Sequence, residues 1–71
     1  MKTVEINTEF IKLQQLLKME GIIGNGGEAK FFLADNICYF NGEPEQRRGK
    51  KLRDGDIVKV LENEYLIKNA N

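Results

Sequence analysis

The sequence lacks several residue types on which common catalytic and metal sites depend. It contains no histidine, no serine and only one cysteine, Cys38. These absences exclude a Ser-His-Asp triad and a zinc site built from several Cys or His ligands. A single cysteine also excludes an intramolecular disulfide, which suits a reducing compartment. Because Cys38 lies in an apolar run, we expect a buried thiol and not a nucleophile.

Long apolar segments are missing as well. A chain of 71 residues has room for one small core, so we expect a single domain over residues 1–71. No stretch approaches the roughly 20 apolar residues that span a bilayer, and we expect no membrane association. The first ten residues lack the apolar run and small-residue cleavage site of a secretory signal. These features predict a cytoplasmic protein.

The net charge is zero, but the charges are unevenly distributed. Five basic side chains fall within seven residues that contain no acid: Arg47, Arg48, Lys50, Lys51 and Arg53. The rest of the chain holds six bases against all eleven acids, a net charge of −5. A neutral total argues against indiscriminate polyanion binding. A concentrated basic patch still creates the local positive potential to which a phosphate backbone responds.

The N-terminal part predicts a strand followed by a helix. Thr3–Ile6 alternates polar and apolar residues, as a half-buried strand does. Thr8 is a favourable N-cap for a helix over Glu9–Glu20, whose apolar residues follow the three-and-four spacing of an amphipathic helix. Gly21 is expected to end that helix.

A glycine-rich segment predicts the start of a second helix. Asn25 followed three residues later by Glu28 resembles a capping box, with Asn in place of the usual Ser or Thr. The helix is predicted over residues 26–34, and its glycines leave the first backbone amides unshielded. Asn36 is expected to end the helix in a left-handed conformation, which Asn tolerates better than most residues.

The C-terminal part predicts strands joined by turns. Asn41-Gly42 after an apolar run is a strong hairpin signal, and Pro44 confines the returning strand to an edge. Asp54-Gly55-Asp56 is predicted as a turn and not as a pair of catalytic or metal-binding carboxylates. A strand is expected over 57–61, with 64–67 pairing back after a turn at 62–63.

This order of elements predicts an α+β fold in which two helices pack on a small, mostly antiparallel sheet. The core is expected to come from the apolar positions of the helices and strands: Leu13, Leu16, Leu17, Phe32, Leu33, Phe40, Val58 and Val60. The aromatic residues Phe10, Phe31, Phe32 and Phe40 are assigned mainly to the core. Three aromatic residues stay open as stacking surfaces for bases: Tyr39, Phe31 and Tyr65.

The order and spacing of these motifs resemble the S4 family of RNA-binding domains over roughly residues 9–60. The resemblance rests on the glycine-rich helix start with Ala29, on Asn41-Gly42, and on the late turn at Gly55-Asp56. The segments 16–21, 26–30 and 45–48 are similar to the small stand-alone branch of that family, the YaaA/YbcJ-type proteins. The resemblance implies an S4-like (alpha-L) fold and binding to structured RNA, with ribosomal RNA and a ribosome-associated role expected.

The resemblance also implies where RNA would bind. The family often has an Arg before a Leu at the start of its first helix, where this chain has Lys12-Leu13. Its second helix typically opens with Ser followed by Arg, where this chain has Asn25 and Gly26. Lys30 and the basic loop would compensate for the side chain missing at Gly26. The expected RNA-binding residues are Lys12, Asn25, Gly26, Lys30, Arg47, Arg48, Lys50, Lys51 and Arg53.

Two other interpretations remain open at this point. The charged loop could instead be a solvated segment paired with nearby acids, namely Glu43, Glu45, Asp54 and Asp56. The protein could instead be a small interaction adaptor that offers an exposed sheet edge to a partner protein. No group of residues combines a nucleophile, a base and oxyanion donors, so we expect no enzyme. We also expect no cofactor, no metal and a monomeric protein.

Overall fold

The computed structural model describes residues 1–70 and contains two short helices and seven strands in that range. A 3₁₀ turn over Gly26–Glu28 leads directly into the second helix. The helices are α1 (Leu13–Met19) and α2 (Ala29–Asp35). The strands are β1 (Lys2–Ile6), β2 (Ile11–Lys12), β3 (Cys38–Phe40), β4 (Glu43–Glu45), β5 (Lys51–Leu52), β6 (Ile57–Val60) and β7 (Asn63–Asn69).

Five of the strands form the main sheet, in the order β1-β7-β6-β3-β4. All neighbours in this sheet are antiparallel except β1 and β7, which run parallel. Pro44 lies in the edge strand β4, where its missing N–H costs no ladder hydrogen bond. The predicted α+β fold with a mostly antiparallel sheet is confirmed.

The remaining two strands form a separate ribbon that joins distant parts of the chain. β2 pairs antiparallel with β5, so that Ile11 lies opposite Leu52 and Lys12 lies opposite Lys51. Ile11 and Leu52 are buried, whereas both lysines are exposed. The ribbon therefore turns one apolar pair towards the core and one pair of cations towards solvent, as the two-residue period of a strand requires.

One hydrophobic core joins the helices, the main sheet and the ribbon. Six of the eight predicted core residues are 0–1% exposed, while Phe32 and Phe40 pack against the core half-buried. Cys38 is also buried, as expected, at 1% exposure. The remaining buried residues come from the main sheet, α2, the ribbon and the segment after α1: Val4, Ile6, Ile11, Ile23, Ala29, Leu52, Tyr65 and Ile67.

The expectations for Phe31 and Tyr65 are wrong. Phe31 is 70% exposed on α2 and is not part of the core. Tyr65 is 5% exposed, because it lies on the face of β7 that packs against the core, and it offers no stacking surface. Tyr39, on the other face of the sheet, is half-buried.

The predicted start of the first helix is also wrong. The helix begins at Leu13 and not at Glu9, because residues 11–12 are used as strand β2. Thr8 does not cap it; its hydroxyl donates to the Phe10 carbonyl at 2.8 Å. The helix instead begins after Lys12, whose backbone N–H donates to Gln15 Oε1 at 2.8 Å. Gly21 ends the helix as predicted, with a φ of +72° that favours glycine.

The second helix was predicted over residues 26–34. In the structure, Gly26–Glu28 forms the 3₁₀ turn and α2 spans Ala29–Asp35. Asn25 is the N-cap, but its Oδ1 accepts from the Gly27 N–H at 2.9 Å and so bonds the second residue of the turn, not Glu28. The Gly27 amide is therefore not free. Asn36 is extended, with a φ of −132°, and is not left-handed. Its backbone N–H and its side-chain amide both donate to the Phe32 carbonyl, at 2.9 and 3.0 Å, and cap the helix in that way.

The turns at Asn41-Gly42 and at Gly55 are as predicted, whereas the turn between β6 and β7 is not. Asn41 and Gly42 both have positive φ, as a two-residue hairpin turn needs, and Gly55 has a φ of +88°. The Asn41 side chain joins the two turns, since it donates to Asp56 Oδ1 at 3.1 Å and accepts from the Ile57 N–H at 2.8 Å. The last strand pair turns one residue earlier than predicted, with Leu61 at a φ of +56°.

No helix within residues 1–70 is long and apolar enough to cross a membrane.

Candidate nucleic-acid interface

The basic loop, defined as residues 46–53, is attached to the start of α1. The N–H groups of Leu13 and Gln14 donate to the carbonyl oxygens of Lys50 and Arg48, at 2.8 and 3.0 Å. These two amides have no partner within their own helix, because they lie in its first turn. The loop backbone satisfies both of them, so these two amides of α1 are occupied and are not available to bind an anion. What the loop presents outward is its side chains.

Four of the predicted cations come together where the loop meets α1. Lys12 and Lys51 are opposite one another in the ribbon and are both exposed. Arg48 and Lys50 belong to the segment whose carbonyls bond α1. None of the four forms an ion pair with another residue of the described range 1–70. We call this group the loop patch: Lys12, Arg48, Lys50 and Lys51.

Lys50 is held against an aromatic ring of the main sheet. Its Nζ lies 4.5 Å from the centroid of the Phe40 ring, within the range of a cation–π interaction. The residue is half-buried, unlike the exposed Arg48 and Lys51. The contact restricts where the ammonium can lie and leaves its charge without a carboxylate partner.

Arg47 is bound by a carboxylate of the neighbouring strand. Its Nε and one terminal nitrogen donate to the two carboxylate oxygens of Glu45, at 3.0 and 2.9 Å. The N–H groups of Gln46 and Arg47 donate to the same carboxylate, each at 3.1 Å. The Glu45 side chain is 11% exposed and that of Arg47 is 73% exposed. The interpretation that the loop pairs with nearby acids is thus correct for Arg47.

Arg53, at the other end of the loop, also has a carboxylate partner, but not one of the expected ones. Its guanidinium donates to Glu9 Oε1 at 3.1 Å, across 44 residues of sequence. Its backbone N–H donates to Asp56 Oδ2 at 2.7 Å. Glu9 was assigned to a helix from the sequence, and nothing in the local pattern indicated that its segment would lie beside the loop.

The other predicted residues form a second group at the start of α2, which we call the helix-start group: Asn25, Gly26 and Lys30. The 3₁₀ turn that contains Gly26 packs against α1. No hydrogen bond or ion pair among residues 1–70 links this group directly to the basic loop. A side chain at Gly26 would meet no atom within 4 Å of its Cβ, so the position is open.

The buried thiol has no features of a nucleophile. Burial raises the pKa of Cys38 to about 11, and the nearby Glu45 carboxylate acts in the same direction. A thiol with such a pKa is almost fully protonated at neutral pH, and the thiolate is the reactive form.

The Glu45 carboxylate makes the stability of the fold dependent on pH. Hydrogen bonds from Arg47, chiefly from its side chain, lower the pKa of Glu45 from 4.5 to about 2. A carboxyl with a depressed pKa stabilises the fold above its unfolded pKa, and this contribution is lost as the pH falls towards its folded pKa. The window in which stability is lost therefore runs from about pH 4.5 down to about pH 2.

We expect Glu45→Gln to lower the free energy of unfolding by about 1–2 kcal/mol at pH 7. This figure is less than the full pKa shift implies, because solvent screens the exposed Arg47. Urea denaturation of both proteins between pH 7 and 2 measures the difference, which should shrink below about pH 4.5. Glu43→Gln, an exposed neighbour in β4, is the control and should show little change at any pH. A difference between Glu45→Gln and the wild type that stayed constant with pH would contradict the assignment.

Comparison with known proteins decides the family. A family model described as S4 domain matches residues 4–68, which is nearly the whole chain. The chain belongs to the S4 domain family. The resemblance inferred from the sequence is thereby confirmed, and the match extends beyond residues 9–60 to include most of β1 and most of β7.

This S4 domain also resembles a curated bacterial protein. It is 46% identical over 57 residues to the "Probable ribosome maturation protein RlbA" of Bacillus subtilis (strain 168). The aligned part covers 80% of each chain, so the relative is also a small protein. The similarity to the small stand-alone branch of the S4 family is consistent with this size.

Proposed function

We propose that this S4 domain protein binds structured RNA without catalysis, with ribosomal RNA as its target. The observation that carries the proposal is the loop patch, whose four cations lie where the basic loop is hydrogen-bonded to α1. The charge outside 47–53 is −5, so a polyanion would be oriented towards this side of the molecule. Residues 1–71 would act as one RNA-binding domain, as a cytoplasmic monomer.

The chemistry of the loop patch suits a phosphate backbone. Arginine pairs with phosphate oxygens through two parallel N–H groups, and lysine acts as a point charge on the same surface. Folded RNA is recognised largely through its shape and through phosphate and 2′-hydroxyl contacts, which require no base-specific chemistry. The similarity to a probable ribosome maturation protein supports ribosomal RNA as the target class.

A salt titration of binding to ribosomal RNA fragments tests the proposal. Each neutralised phosphate adds about 0.7–0.9 to the slope of log affinity against log salt, so four to six contacts predict a slope of about −3 to −5. Crosslinking in cells, followed by sequencing of the bound RNA, would identify the target. Failure to bind structured RNA, together with salt-insensitive binding to a protein, would favour the adaptor that uses a sheet edge.

Gly26 allows a gain-of-function prediction for the helix-start group. The S4 pattern has an arginine where this chain has Gly26, and a side chain there has open space and a normal backbone conformation. We expect Gly26→Arg to bind RNA about 3- to 10-fold more tightly and to steepen the salt slope by about 1. Gly26→Gln makes the same backbone change without the charge and is the matched control. If both variants bound RNA equally well, the helix-start group would not belong to the site.

A further inference from the structure

One aromatic residue outside the loop patch, Phe10, lies against two cations of the basic loop. The centroid of the Phe10 ring is 4.8 Å from Lys51 Nζ and 5.2 Å from Arg53 Cζ. Both distances lie within the range of about 6 Å in which a cation is attracted to a ring face. Phe10 is half-buried. The sequence pattern assigned it to the core face of a helix, which the structure does not bear out.

The backbone explains why the ring lies there. Phe10 directly precedes β2, which pairs with β5, and Lys51 and Arg53 flank the buried Leu52 of that pairing. The Thr8 hydroxyl donates to the Phe10 carbonyl and fixes the approach to β2. The preceding residue, Glu9, binds the Arg53 guanidinium through its carboxylate. The position of the ring thus follows from the ribbon and not from a property of Phe10 itself.

We propose that Phe10 is a positioning residue of the RNA site, whose ring holds the side chains of Lys51 and Arg53 in place before RNA arrives. The inference rests on the proposed function. Long basic side chains lose rotamer freedom when they bind a phosphate. A ring that has already restricted two of them lowers that cost, and this pre-organisation raises affinity without adding a contact to RNA.

Replacing the ring while keeping all charges tests the role. We expect Phe10→Leu to weaken binding to a ribosomal RNA fragment about 3- to 10-fold, with the salt slope unchanged because no cation is lost. Phe10→Tyr keeps the ring face and should bind as the wild type does. Phe10→Met is a second ring-free variant in case Phe10→Leu folds poorly, and thermal unfolding of every variant checks the fold.

A double-mutant cycle separates positioning from direct stacking on a base. If the ring acts through the two cations, Phe10→Leu should change affinity little once Lys51 and Arg53 have both been replaced by alanine. If the ring contacts RNA itself, Phe10→Leu should weaken binding by the same factor in both backgrounds. That second result would overturn the proposal.

The contact of the Phe10 ring with the two cations can be measured without RNA, and so independently of the proposed function. The Phe10 ring current should shift the NMR signals of the Lys51 Hε and Arg53 Hδ protons in the wild type and in Phe10→Tyr, but not in Phe10→Leu. Absence of these shifts in the wild type would overturn positioning, whatever the protein binds. If the shifts are present and Phe10→Leu binds RNA like the wild type, the role in binding is overturned. If the wild type binds no structured RNA, the proposed function fails and the role of Phe10 in binding fails with it.

Discussion

Replacing Arg48 and Lys51 together by alanine should weaken binding to structured RNA about 10- to 100-fold at low salt. The slope of log affinity against log salt should become flatter by roughly 1–2 units, because two phosphate contacts are lost. Both side chains are exposed and neither pairs with an acid within the described residues, so the fold should survive. A salt titration of wild type and variant against the same ribosomal RNA fragment measures both quantities.

Arg48 is a better choice for this experiment than Arg47. The Glu45 carboxylate already binds the Arg47 guanidinium through two hydrogen bonds, which offsets the charge that an RNA phosphate would meet. Combining Arg47→Ala with Lys51→Ala should therefore flatten the salt slope less than combining Arg48→Ala with Lys51→Ala. Arg47→Ala also leaves the poorly exposed Glu45 without its cation, and this variant should lose stability as well.

Lys59 and Lys68 provide a matched control for charge. Each lies in the main sheet next to buried residues that point the other way, so both are exposed on the face of the sheet opposite the core. Replacing both by alanine changes the net charge as much as the double loop variant does. We expect this control to bind RNA nearly as well as the wild type. Equal losses in the control and in the loop variant would remove the loop patch from the site.

Leu17→Ala should lower the free energy of unfolding by about 2–5 kcal/mol. The Leu17 side chain is completely buried in the core between the helices and the sheet. A domain of 71 residues is stable by only roughly 4–10 kcal/mol, so this loss would unfold a large part of the population under mild denaturing conditions. Urea denaturation followed by circular dichroism measures the difference.

Met19 in the same helix provides the comparison for Leu17. It is 54% exposed, so Met19→Ala truncates an apolar side chain without opening a cavity. We expect a change within about 0.5 kcal/mol, the range of ordinary surface substitutions. A cost below about 0.5 kcal/mol for Leu17→Ala would mean that the buried face of α1 has been assigned wrongly.

The parts of the fold that were predicted correctly depend on local signals. Asn41-Gly42 specifies a hairpin because both positions need positive φ, and Gly21 ends a helix for a related reason. The start of α1 depends instead on a partner 41 residues away, since Ile11 pairs with Leu52 in the ribbon. The helix-like spacing before Leu13 carries no information about that partner, so the sequence predicted one longer helix.

The short-range errors have a different physical cause. Asn36 was expected to end α2 in a left-handed conformation, but it is extended, and both its backbone N–H and its side-chain amide donate to the Phe32 carbonyl. Leu61 was predicted as the last residue of a strand over 57–61, but it adopts a φ of +56° in the turn between β6 and β7. Pairing along those two strands outweighs the cost of about 1–2 kcal/mol for a left-handed residue.

The candidate site could be predicted from the sequence only as a set of cations. The run of basic residues at 47–53 is visible without a structure, and so is Lys12 before Leu13. The sequence does not show which of these cations lack an acidic partner, because the partner of Arg53 is Glu9, which lies 44 residues away in the sequence. The aromatic contact of Phe10 with Lys51 was hidden for the same reason.

The two hydrogen bonds between α1 and the basic loop make the Leu13 and Gln14 amides natural reporters of loop motion. Each donates to a loop carbonyl, so solvent deuterium can replace its hydrogen only when that bond opens. Amides in the last turn of α1 are protected by bonds within the helix itself. The exchange rate of the Leu13 and Gln14 amides, divided by that of the amides in the last turn, therefore separates detachment of the loop from unfolding of α1. The measurement needs no label or substitution in the loop.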